Sequence, residues 1–151
     1  MKRTQSDRQT GVTLLEMMIV LVILSVLAAI IYPSYQNYVV RSNRAVGKSA
    51  LLSVAARQEQ YFANNGGYAN TTTLLGYPAT YRVDRKGEQA TGTTGIYEIT
   101  VATTTTNPIR DYTLTATPKN FQTRDTDCGA LTLDDRGAKT PTSTTLLRCW
   151  E

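Results

Sequence analysis

The sequence predicts an α+β fold: one long amino-terminal helix packed on an antiparallel β-sheet in the carboxyl-terminal half. Three observations lead there. Residues 12–31 form an almost unbroken apolar run whose only clearly polar members are Thr13, Glu16 and Ser25. Residues 32–62 change to a two-faced pattern with helical spacing, and residues 96–133 contain segments that alternate apolar and polar with a period of two. Helical periodicity first and strand periodicity afterwards is the pattern of segregated layers.

The apolar run is 20 residues long. At about 1.5 Å rise per residue it spans roughly 30 Å, the thickness of a bilayer core. A secretory signal would have a shorter apolar stretch followed by a small-residue cleavage site. Here Ala28 and Ala29 lead instead into Ile30, Ile31, Tyr32 and Pro33. The preceding segment carries Lys2, Arg3 and Arg8 against Asp7, so it is expected on the cytoplasmic side with the rest of the chain outside the inner membrane.

Beyond the run, Tyr35, Val39, Val46, Ala50 and Val54, flanked by Tyr38, Leu51, Ala55 and Phe62, mark an apolar stripe, while Arg41, Arg44, Lys48 and Arg57 take polar positions. A single helix over about 12–63 is expected, with a kink or local melting at Pro33 and a second weak point at Gly47. Asn64-Asn65-Gly66-Gly67 ends it with residues that readily turn left-handed. A connector follows over 68–95. Strands are predicted at 96–102, with Tyr97, Ile99 and Val101 on one face, and at 111–117, with Tyr112, Leu114 and Ala116; residues 103–108 join them. A third strand holds Leu131 and Leu133 before a turn at Asp135-Arg136-Gly137, and 146–150 is read as a short edge strand. The sheet's apolar face needs a lid, and the amphipathic half of the helix supplies it, giving a lollipop.

Cys128 and Cys149 are the chain's two cysteines, and it has no His. In an oxidising compartment a disulfide is the economical reading. A metal site would want more ligands at closer spacing, so no metal and no cofactor are expected.

Glu16 is the anomaly in the run, because a carboxylate at mid-membrane costs about 2.5–3.5 kcal/mol and needs a partner or a purpose. Cutting after Gly11 would create an α-amine at Val12 about one helical turn away, able to pair with Glu16 or with that of a neighbouring chain. Gly11-Val12-Thr13-Leu14-Leu15-Glu16 followed by Met17-Met18-Ile19-Val20 resembles the class III signal of type IV pilins and type II secretion pseudopilins. The resemblance implies cleavage between Gly11 and Val12 by a membrane prepilin peptidase, N-methylation of Val12, and a role for Glu16 in adding the subunit to a filament. The mature chain would open on Val where the family most often has Phe. Its net charge would fall from +4 to +2, since three basic residues and one acidic residue leave.

Further segments narrow the likeness. Pro33-Ser34-Tyr35-Gln36-Asn37-Tyr38-Val39, Arg41-Ser42-Asn43-Arg44, Ala56-Arg57-Gln58-Glu59-Gln60-Tyr61, Tyr112-Thr113-Leu114-Thr115-Ala116-Thr117-Pro118, Cys128-Gly129-Ala130-Leu131-Thr132-Leu133 and Cys149-Trp150 resemble the PilE-type minor pilins. This implies a cleaved leader over 1–11, a membrane and filament-core helix over 12–33, and a periplasmic head over 34–151. It also implies a low-abundance subunit that primes pilus assembly in or near the tip and supports twitching motility and adhesion. Its partners would be other major and minor pilins through the helix, the prepilin peptidase, the inner-membrane assembly machinery, and inner-membrane lipid before it enters the extracellular pilus.

Other signals have blander readings. Asp125, Asp127, Asp134 and Asp135 do not match an EF-hand template and read as turn chemistry. Arg41, Arg44 and Lys48 share one helix stripe, as a solvated face, a lipid-headgroup contact or a filament-packing surface. Arg82, Arg85 and Lys86 beside Tyr81 form a small basic cluster able to touch DNA phosphates, the basis of an alternative reading as a DNA-binding pilin of natural transformation. A type II secretion pseudopilin is the other alternative. Thr-rich runs at 71–73, 103–106 and 142–145 read as exposed loops. No nucleophile elbow, phosphate loop or paired carboxylate frame is present, so the chain is expected to be a peptidase substrate and not an enzyme.

Overall fold

A computed structural model describes residues 12–104, 109–141 and 146–150. Gly11 and the rest of the leader, most of the 103–108 loop and the 142–145 Thr run therefore lie outside the described residues. The elements in chain order are helix α1 (Leu14–Asn65), a 3₁₀ turn (Thr73–Leu75), strands β1 (Tyr81–Val83), β2 (Tyr97–Ala102) and β3 (Thr113–Pro118), a second 3₁₀ turn (Asn120–Arg124), strands β4 (Leu131–Asp134) and β5 (Lys139–Pro141), and helix α2 (Leu146–Trp150). The chain divides into two compact units at Asn37/Tyr38.

In the first unit every residue over 12–35 is exposed. Its side chains are apolar all round, so they have no core of their own to enter. Within the apolar run, the Ser25 hydroxyl is satisfied in the helix by donating to the Val22 carbonyl at 2.8 Å.

The second unit is built on a five-stranded antiparallel meander in the order β1-β2-β3-β4-β5. Period-two patterning keeps one face apolar from β1 to β4, and Lys139 of β5 stands opposite Leu133. Tyr81 lies opposite Ile99, Ile99 opposite Ala116 and Ala116 opposite Leu131; a parallel row joins Leu114 to Leu133. All six are buried, and Ala50, Leu51 and Val54 of α1 cover that face in the same core cluster. The predicted lid and the three longer strands are thus present. Gly66, with φ 71°, follows α1 and donates to the Phe62 carbonyl at 2.8 Å, closing the helix as expected.

Several expectations are corrected. The stripe of α1 that enters the core runs Val40, Asn43, Arg44, Gly47, Ala50, Leu51, Val54 and Gln58. It includes Arg44, expected among polar positions, and omits Tyr35 and Tyr38, which are 62% and 70% exposed. Gly47 is a close-packing position: a Cβ there would meet the Tyr97 ring at 3.0–3.1 Å. The connector contains β1, and β5 appears where no strand was expected. Residues 146–150 are helical and not an edge strand. β5 already pairs with β4, and Cys149 is instead buried in the core by its disulfide to Cys128.

Candidate functional site

Two places are candidates for functional chemistry: the start of α1, and a basic surface of the second unit. At the first, Thr13 precedes the helix and its Oγ1 accepts the Glu16 backbone N–H at 3.2 Å. Thr13 is therefore the N-cap and Glu16 the third helical residue, the T-x-x-E spacing of a capping box. The carboxylate stands where the helix dipole favours negative charge. This local reason for Glu16 is written in the sequence as Thr13-Leu14-Leu15-Glu16. Val12 is exposed and precedes the helix, four positions from the capped Glu16 N–H.

The basic surface is positioned by β1, β2 and the 120–124 turn. Arg82 and Glu98 are direct cross-strand partners, and the guanidinium binds the carboxylate through Nε at 2.8 Å and Nη2 at 2.7 Å. Lys119 approaches the same carboxylate at 3.6 Å. These hydrogen bonds and cations hold Glu98 below its ordinary pKa, the Arg82 hydrogen bond being the main cause. Arg82 is thus committed to a structural pair. Arg85 and Lys86 lie on the exposed turn after β1, where Asp84 Oδ1 accepts the Lys86 and Glu88 backbone N–H groups at 2.8 and 3.0 Å. The Arg85 guanidinium reaches over Phe121 at 5.6 Å from the ring centre, and Arg124 stands 4.9 Å from the same ring. The expected cluster of three therefore separates. Arg85 meets Phe121, which Arg124 also approaches, with Lys86 next to Arg85 on the turn; the aromatic of this surface is Phe121 and not Tyr81, which is buried and stacked on Tyr77. Sequence reasoning missed Phe121 and Arg124 because 36 positions separate Arg85 from Phe121.

A buried polar network underlies this surface. Gln122 accepts Asn43 Nδ2 at 2.9 Å and donates to the Val40 carbonyl at 3.1 Å and the Tyr97 hydroxyl at 3.0 Å. Asp125 accepts two hydrogen bonds from Arg44 and one from the Cys128 backbone at 3.2 Å. The acidic loop residue is therefore a fold-closing ion-pair partner as well as a turn former. Asp134 Oδ1 accepts the Arg136 and Ala138 backbone N–H groups at 3.1 and 2.6 Å, as its turn reading expected.

Residues 33–132 match the family model described as "Type IV minor pilin ComP, DNA uptake sequence receptor". The chain belongs to this type IV pilin family. Residues 6–32 of this pilin match the prokaryotic N-terminal methylation motif. Similar proteins include the fimbrial protein EcpC of Eikenella corrodens, 32% identical over 64% of this chain and 65% of the relative. The type IV major pilin PilA of Myxococcus xanthus is 30% identical over 62% of this chain and 42% of its own length. The matches thus span between about two fifths and just under two thirds of these relatives. A solved type IV pilin from Shewanella oneidensis aligns over 74% of this chain and 98% of that one, at 21% identity and a TM-score of 0.49.

Proposed function

We propose that this pilin is a minor subunit stored in the inner membrane by residues 12–33, with its head in the periplasm, and added to a pilus in or near the tip. The observation that carries the reading is the exposed, largely apolar stretch over 12–35, with Glu16 in the capped first turn of its helix. A prepilin peptidase cuts between Gly11 and Val12, and Val12 is N-methylated. The apolar helix then exchanges lipid for the helices of other pilins, guided by the assembly machinery, and Glu16 pairs with an N-terminal amine as the subunit docks. Pro33 leaves the Ala29 carbonyl without its helical donor, making it the point where the helix bends or unwinds in the fibre. Twitching motility and adhesion follow from such a fibre. The role is structural and not enzymatic.

Glu16→Ala tests the assignment. The substitution should leave membrane insertion intact and sharply lower incorporation into pili; unchanged incorporation overturns the role of Glu16. A bulky residue at Gly11 should leave unprocessed precursor, and a mature N-terminus at Val12 in that variant would overturn the cleavage site.

The second reading is that the head contacts DNA, supported by the family description and by Phe121 lying near the Arg85 and Arg124 guanidinium groups with Lys86 on the same turn as Arg85. Cations would meet phosphates and the ring would offer a stacking surface. Residues 38–151 should retard duplex DNA in a salt-dependent manner. Arg85→Ala with Lys86→Ala should lower affinity and reduce the salt slope, with Arg82→Ala acting mainly on stability. Absence of binding at low salt would remove this reading.

A further inference from the structure

Tyr32 and Tyr35 are 66% and 62% exposed and take no part in a core. Three positions apart on one helix, their rings share a face. They begin at the residue where the 20-residue apolar run stops. That run matches the roughly 30 Å hydrocarbon layer, beyond which the headgroup zone of each leaflet adds about 5–7 Å. The pair is separated along the helix axis by about 4.5 Å and fits inside that zone. A tyrosine ring is apolar and its hydroxyl polar, the combination enriched at membrane–water boundaries.

We propose that Tyr32 and Tyr35 anchor the stored pilin at the boundary between lipid headgroups and acyl chains of the outer leaflet, and so set the depth of its helix. The proposal rests on the membrane-storage reading. Its consequence reaches Glu16, which lies about 24 Å down the helix from Tyr32 and about 6 Å from the other end of the run. An anchor at Tyr32 and Tyr35 keeps that carboxylate near the cytoplasmic boundary, where its cost is lower than at the centre.

The test uses the full-length chain in phospholipid vesicles. Its native cysteines are paired, so one introduced thiol can be spin-labelled alone. A label at Ser25→Cys reports whether the helix is in the bilayer, and a label at Ser34→Cys reports depth through oxygen and water-soluble nickel accessibility. With Tyr32 and Tyr35 present, the Ser34→Cys label should read at headgroup level. Tyr32→Leu with Tyr35→Leu should carry it inward by about 3–5 Å, up to one helical turn, and Tyr32→Trp with Tyr35→Trp should restore the original depth. A lipid-shielded Ser25→Cys label with no movement of the Ser34→Cys label overturns the anchor and leaves storage standing; lowered pilus incorporation in that case assigns the tyrosines to a neighbouring pilin. A Ser25→Cys label open to aqueous nickel overturns the storage reading and the anchor together.

Discussion

Arg44 and Asp125 meet as a buried two-pronged ion pair, with guanidinium Nε and Nη2 each donating to a different carboxylate oxygen at 2.7 Å. Their side chains are 8% and 0% exposed. The pair ties α1 to the loop leading into Cys128, across 81 positions of sequence. The Asp125 hydrogen bond holds Arg44 above its ordinary pKa despite burial. A base raised in this way contributes stability that is complete below its unfolded value, so the contribution of Arg44 is fully present near neutrality. Removing one partner strands a buried charge. Arg44→Met or Asp125→Leu should cost about 3–5 kcal/mol in chemical denaturation. Arg44→Met with Asp125→Leu should recover a large part of that loss; additive losses would show that the pair does not act as a unit.

Gly47 allows α1 to approach Tyr97, whose ring has no room to retreat because it is wholly buried and its hydroxyl accepts from Gln122. Gly47→Val should destabilise the head by about 1–3 kcal/mol through overpacking. A thermal melt unchanged from the parent would contradict this contact.

The Cys128–Cys149 disulfide closes a loop of 21 positions and holds α2 against the core. Replacing both residues by Ser should lower stability by about 3 kcal/mol on a chain-entropy account. Comparing unfolding of the parent under oxidising and reducing conditions checks it, and the Ser variant should show no dependence on reductant.

Burial and the nearby Asp125 carboxylate push the Tyr97 hydroxyl well above its ordinary pKa, and burial and Glu59 do the same for Tyr112. An acid whose folded value is raised contributes stability that is complete below its unfolded value and is lost as pH rises from there toward the folded value. Stability should therefore fall above about pH 10, the unfolded tyrosine value. Absorbance of tyrosinate and circular dichroism followed together should show a group of tyrosines ionising only as the sheet melts. Ionisation of every tyrosine before any unfolding would contradict the buried environments.

The contrast between these residues explains what was legible beforehand. The N-terminal methylation motif was readable because it is a contiguous stretch of sequence, and β2, β3 and β4 because each is long enough to show alternation. β1 and β5 have three residues each, too few for a period. Arg44 looked solvated because charge on a helix usually is, and its partner lies far away in sequence. Phe121 and Arg124 entered the basic surface only through the fold. The sequence 146–150 could not distinguish helix from strand over five residues, and the occupied sheet edge decided it.

The central claim is that this chain leaves the membrane as a processed filament subunit. Quantitative mass spectrometry of sheared pili against whole cells tests it most directly. The expected result is a trace subunit whose first peptide begins at N-methylated Val12; absence from the pili, or recovery with residues 1–11 still attached, would contradict it.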